Sequence, residues 1–217
     1  MSLSPDKTAK AARKLPDSGL QPARNYAIID LGTQTGTFKG QPKAPAPEVM
    51  FCFEITKFMH TYKEEEGPVP CTILQKYTFS NGAKAKLPKM LQSWGRLPKP
   101  MEKLNVKPYL GQYCMLNISH TENGEYANIS SVNPFMAEIA KPKAYHTNVY
   151  FDLDQFTWEA FYTLPPYAQK LIRQCADWPK IISKNPEPIQ QGYTNTVIDG
   201  MEEDSPFKDQ FDGSDPY

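Results

Sequence analysis

Between residues 24 and 135 the apolar positions come in short alternating runs, punctuated by glycine, proline and Asn-Gly pairs. "RNYAIIDL", Arg24 to Leu31, is rich in β-branched and aromatic residues and stops at Gly32, which predicts a first strand. The next sixteen residues, "GTQTGTFKGQPKAPAP", hold three glycines and three prolines and read as a long loop. "EVMFCFEIT" predicts a second strand, with Val49, Phe51, Phe53 and Ile55 on one face by period-two alternation. A charged connection, "KFMHTYKEEEGPVP", leads to a third strand from Cys71 to Ser80, closed by the turn pair Asn81-Gly82.

"LPKMLQSWG" then changes period. Leu87 and Leu91, like Met90 and Trp94, are i,i+4 pairs; Pro88 suits a first turn and Gly95 a stop, so a short helix is expected. A fourth strand, "YLGQYCMLNIS", and a fifth, "YANISSVNPF", flank an Asn123-Gly124 turn and form a hairpin. Two helical stretches follow, "DLDQFTWEAFYTL" and "PPYAQKLIRQCADW", the second bracketed by Pro165 and Pro179. Alone, neither could bury its apolar stripe, so both should pack back onto the strands.

The order β-β-β-α-β-β predicts a mainly β chain. Its best match is a five-stranded OB-fold, a Greek-key barrel with short helices and a helical C-terminal extension at about 150–178. The expected organisation is a basic N-terminal arm at 1–22, the folded domain at 23–182, and a linker with an acidic tail at 183–217. Proline supports short elements and stiff connectors: 21 residues is nearly twice the usual share of about 5%.

Charge sharpens the picture. The chain carries 24 basic and 24 acidic side chains, but residues 199–217 take seven acids and a single lysine. That leaves 23 bases against 17 acids elsewhere, a basic body joined to an acidic terminus. The four cysteines are widely spaced, with no C-x-x-C, and the three histidines lie in unrelated contexts. No zinc spacing, hydrolytic triad or G-x-x-x-x-G-K-[ST] loop is present, so neither a cofactor, a metal nor an enzyme is expected. "IIDLGTQTG" looks like a phosphate loop of actin/Hsp70-type ATPases, yet no Gly-Gly pair accompanies it. The N-terminus lacks an apolar core for a signal peptide, no run suits a membrane helix, and reduced cysteines fit a cytoplasmic protein.

Binding does have candidates. An OB-fold reads single strands across strands two and three and through the loops joining one to two and four to five. Bases and rings interleave there: Tyr26, Phe38, Lys39, Lys43, Lys57, Lys76, Tyr77, Lys84, Lys86, Arg96, Tyr109 and Tyr113. Cations follow phosphates and rings stack on bases, the chemistry of sequence-independent binding to single-stranded DNA (ssDNA). A protein–protein adaptor on the same barrel is the alternative, and the ATPase a third reading.

"ARNYAIIDLGTQTGTFKG", "FCFEI", "KYTFSNGAKAKLPKMLQSW" and "LGQYCMLNISHTENGEYANISSVNPF" together resemble the ssDNA-binding proteins encoded by tailed bacteriophages. The resemblance spans about Ala23 to Phe135 and implies an OB-fold that coats ssDNA in replication, recombination or repair, inside a bacterial host. It also implies an acidic tail that competes with DNA and recruits replication or recombination proteins through an aromatic tip. Here that tip corresponds to Asp212, Asp215, Pro216 and Tyr217. Neither a membrane nor a small-molecule substrate is implied.

Overall fold

The computed structural model describes residues 15–38, 40–61, 67–82, 85–95 and 104–188. Its framework is a sheet in which β1 (Gly19–Phe38) pairs antiparallel with both β2 (Gln41–His60) and β4 (Tyr113–His120). β3 (Val69–Thr78) pairs with β2, and β5 (Ala127–Pro134) with β4, giving the order β3-β2-β1-β4-β5. The first six residues of β1 lie against β4, and from Arg24 onward it lies against β2. Arg24 is the junction, opposite Glu54 on one side and Tyr113 on the other.

Val49, Phe51, Phe53 and Ile55 do share a face, as their alternation predicts, and join Ile28, Ile73, Leu116 and Val132 in an inner core. Helix α1 (Lys86–Ser93) packs against both β3 and β5, which are the edges of the sheet among the described residues. Eight residues are too few for a stable isolated helix. Leu87, Met90, Leu91 and the following Trp94 fix it by burial, at about 1.5–3 kcal/mol for each large side chain. Trp94 is 1% exposed; its ring lies 5.9 Å from Phe53 and 5.3 Å from Tyr109, and its indole N–H donates to the Tyr113 carbonyl.

The other face of β1 and β2 is buried as well. β6 (Val149–Phe151), a strand the sequence pattern does not signal, pairs parallel with Ala27–Ile29. Helices α2 (Trp158–Tyr162), α3 (Pro166–Gln174) and α4 (Trp178–Lys184) follow it. Phe161, Leu164, Ala168 and Ile172 close a second core over Ile29, Leu31, Met50 and Cys52. The C-terminal stretches therefore pack back onto the strands as expected.

Several boundaries differ from the sequence expectation. The long loop after Gly32 is a two-stranded ribbon, paired as far as Phe38 with Gln41. Its prolines fit because β3 ends opposite Glu48, so that part of β2 has a partner on one side only. The expected N-terminal arm includes Gly19–Pro22, which belong to β1, and Leu15 packs against the inner core. The fourth strand starts at Tyr113 rather than Tyr109, which ends a 3₁₀ turn. Pro179 does not stop a helix but opens α4 within its first turn, where its missing N–H costs nothing. Cys52, Cys114 and Cys175 are buried free thiols and Cys71 is half-buried. Among the described residues, no helix is long and apolar enough to cross a membrane.

Arg24 and Glu54 lock the junction from the outer side. Arg24 Nε donates to Glu54 at 2.6 Å, and both side chains are almost wholly buried, 6% and 0% exposed. Glu54 also accepts from the His146 ring at 2.7 Å and from the backbone N–H groups of Tyr145 and His146. Arg24 also donates from Nη1 to Asn148 Oδ1 and from Nη2 to the His146 carbonyl. Gly111 lies beneath Asn148 at φ +75°; a Cβ there would stand 2.8 Å from the Asn148 amide nitrogen. Two buried charges thus hold the segment 145–148 down on the sheet.

Burial pushes the Glu54 carboxyl up, but the bonds from His146, Arg24 and Tyr145 outweigh it and hold it at about 2, against 4.5 for a free side chain. A depressed carboxyl stabilises the fold above its unfolded value and loses that contribution as pH falls through the folded one. Urea titrations should therefore show about 3 kcal/mol of stability lost between pH 4.5 and pH 2, with a flatter profile for Glu54→Gln. Arg24→Met should cost about 3–5 kcal/mol at neutral pH, because it strands a buried carboxylate.

Candidate nucleic-acid interface

The structure separates the rings that alternation groups together. Tyr109 is 1% exposed and tilts against Trp94, so it is a core residue. Tyr26 is also buried, stacked on His146 at 4.4 Å, with its hydroxyl pushed up by burial beside Cys52. Tyr77 meets Phe51 edge-on in the inner core, and burial raises its hydroxyl too. Tyr26 and Tyr109 are enclosed, so neither can stack on a base in this arrangement, while Tyr77 is half-buried with its ring packed against the inner core. The outer surface of β2 and β3 is largely occupied as well: Lys76 reaches over the Tyr167 ring of α3 at 5.8 Å, and Leu74 packs into the second core.

Lys43 on the ribbon, Lys57 near the end of β2 and Lys86 at the start of α1 are exposed. Lys43 and Lys57 lie near opposite ends of β2, and Lys86 opens α1. Lys39, Lys84 and Arg96 are outside the described residues, as are Asp212, Asp215, Pro216 and Tyr217, and the side chain of Phe38 is not described.

Tyr113 is the expected ring that keeps an accessible position. It is half-buried, edge-on to Phe135, with its hydroxyl donating to the Pro142 carbonyl and Lys141 Nζ 5.6 Å from its centre. This arrangement identifies a strap the sequence reading passed over, residues 135–150, which leaves β5 and runs to β6. Along it Tyr145 is 51% exposed and edge-on to His146, and Tyr150 is 38% exposed with Lys107 Nζ 5.1 Å from its centre. Lys143 is exposed two residues before Tyr145. The strap thus carries exposed rings and cations, and its residues 145–148 are anchored on the Arg24–Glu54 junction. A signal did exist in "KPKAYHTNVYF", two lysines followed by two tyrosines, but its lack of a repeating period left it unassigned to any element.

Residues of the ATPase-like motif have structural work to do. Gly32 sits at φ +70°, where a Cβ would come within 2.8 Å of Cys175 Sγ and 2.9 Å of a Leu153 methyl. Asp30 accepts from the Gly32 N–H, and burial raises its carboxyl. An open groove of about 480 Å³ beside them sets Asp30, Asp154 and Asp177 near Lys180 and Lys184. Three carboxylates would repel a phosphate chain, which separates this groove from the strap. Among the described residues, no group of three His, Cys, Asp or Glu could hold a metal.

Comparison with protein-family models, curated proteins and solved structures returns no match. The geometry of the chain itself therefore carries the functional reading.

The two classes of ring should separate in stability measurements. Tyr145→Ala and Tyr150→Ala should shift unfolding free energy by less than about 1 kcal/mol, since little packing is lost at exposed sites. Tyr109→Ala should cost about 3–5 kcal/mol, the toll of a large aromatic removed from a core.

Proposed function

We propose that the protein binds ssDNA without sequence preference, with the strap at 135–150 as its principal contact and an OB-type barrel as its scaffold. The observations that carry this reading are two cation–ring pairs, Lys107 over Tyr150 and Lys141 over Tyr113, and the exposed Tyr145 on the same strap. Strand order supports the scaffold: one long β1 shared between β2 and β4, with a helix between β3 and β4 lying against both edge strands. An OB barrel shares its first strand in the same way.

Magnitudes favour exchange with DNA. Exposed cation–ring pairs such as Lys141 on Tyr113 are worth about 0.5–1 kcal/mol. A base stacked on the same ring contributes about 1–3 kcal/mol, and the displaced ammonium gains a phosphate. Stacking wins. The acidic residues 199–217 would compete for the same cations and recruit replication or recombination proteins when DNA displaces them.

Oligothymidine should quench tyrosine fluorescence at low ionic strength, with affinity falling steeply as salt rises. Tyr145→Ala and Tyr150→Ala should each weaken binding by about 1–3 kcal/mol without unfolding the protein. Deleting residues 199–217 should tighten it. A chain that ignores oligothymidine in 20–50 mM salt, or prefers duplex to it, does not have this function.

A further inference from the structure

The C-terminal layer holds an arginine in an unusual seat. The Arg173 guanidinium, on the last turn of α3, lies 5.6 Å from the Trp158 ring centre, 5.1 Å from Phe161 and 5.3 Å from Trp178. Three rings fix its position and leave its donor edge turned outward. That edge is filled from within the chain: Arg173 Nη2 donates to Glu187 at 2.9 Å and Nη1 reaches the other carboxylate oxygen at 3.4 Å. Tyr162, stacked on Trp158 at 5.5 Å, donates its hydroxyl to the same carboxylate. Trp158 Nε1 donates to the carbonyls of Asn185 and Pro186, which delivers Glu187 to this place.

A guanidinium with a planar fork and a hydroxyl beside it is built for an oxyanion, and phosphate fits the fork as well as carboxylate does. The pair is weak enough to exchange. Arg173 is 39% exposed and Glu187 46%, so water screens their attraction to about 0–1 kcal/mol. Tyr162, 39% exposed, offers a ring beside the fork, and Lys170 lies exposed three residues before Arg173 on α3. Phe151, next to Tyr150 in β6, lies 6.4 Å from Phe161 in the second core, and Arg173 rests on that same Phe161 ring.

We propose that Arg173 is a phosphate-binding position for a DNA strand that continues past the strap, and that Glu187 occupies this position when DNA is absent. The inference rests on the ssDNA reading above and extends it to a second contact with its own internal competitor. On binding, a phosphate replaces the Glu187 carboxylate and a base can rest on Tyr162, while the three rings keep the guanidinium in place.

The test uses the full chain with Glu187→Gln, Arg173→Gln and Arg173→Lys. Glu187→Gln should tighten oligothymidine binding, by up to about fivefold at low salt, because a competitor worth about 0–1 kcal/mol is removed. Arg173→Gln should weaken binding and reduce the slope of log affinity against log salt by about 0.7, one phosphate contact on a single strand. Arg173→Lys should keep the slope and lose part of the affinity, since it retains the charge without the fork. A purely structural clasp would lower the melting temperature of the variants yet leave slope and affinity at the parental values, and that result overturns the proposal.

Inorganic tripolyphosphate supplies the second arm. It should alter the emission of Trp158 and Trp178 in the parental chain and have no effect in Arg173→Gln. If oligothymidine is ignored but tripolyphosphate acts through Arg173, the ssDNA reading fails and the anion seat stands. If oligothymidine binds and tripolyphosphate leaves the emission unchanged, the seat fails and the strap stands.

Discussion

One buried ion pair sits where the sheet divides. At Arg24, β1 leaves β4 and takes up β2, so the backbone there must satisfy two partners that diverge. A bulge follows at once, between Asn25 and Ala27. The Arg24–Glu54 pair pins both strands from the outer face and uses its other hydrogen bonds to hold residues 145–148. Burying two charges costs several kcal/mol each before any attraction is counted, so the pair does not act mainly by adding stability. Its effect is geometric: a well-packed apolar pair could hold the strands together but could not orient the strap's backbone N–H groups.

From that constraint the layering follows. With the strap fixed at His146, β6 is delivered to Ala27–Ile29, and the chain continues over the outer face of β1 and β2 as α2 to α4. Both faces of "MFCFEI" are consequently buried, which explains why Met50 and Cys52 are as apolar as Phe51 and Phe53. Glu54 is the polar exception, and it lies where the strap needs an acceptor. Covering the outer face also moves any nucleic-acid contact away from the middle of β2 and β3, toward the edge where Tyr145 and Tyr150 emerge.

The inner core was legible from alternation because its residues face one way without interruption: Val49 to Ile55, the α1 pairs with their Gly95 stop, and the hairpin around Asn123-Gly124. Prolines misled where context reverses their meaning. Pro42, Pro45 and Pro47 suggest a loop, yet they belong to a ribbon with a free side, and Pro179 suggests a stop but opens α4. β6 has three residues and owes its existence to a distant anchor, so nothing local encodes it. The site was harder. Alternation sets Tyr113 opposite the apolar residues of strand four, as observed, but whether a ring is covered depends on segments more than a hundred residues away, as His146 over Tyr26 shows. Tyr109 was placed by assuming a strand where the chain makes a 3₁₀ turn, and that single step turned a core ring into an expected contact.

Charge distribution gives the surface a direction. The strap carries Lys141 and Lys143, with Lys107 over its Tyr150 ring, while the groove at Asp30 gathers Asp154 and Asp177 beside Lys180 and Lys184. On the proposed reading, a polyanion would meet these cations and the aromatic seat of Arg173. Lys107, Lys141 and Arg173 already rest on rings, so they would stand in place before a ligand arrived, with less side-chain entropy to lose on binding. The weak internal partners, ring faces for the lysines and a carboxylate for Arg173, keep these cations ordered without holding them tightly. If the proposed reading holds, a strand of alternating bases and phosphates would replace these partners in turn, and the ordering that maintains the surface would also prepare it for that ligand.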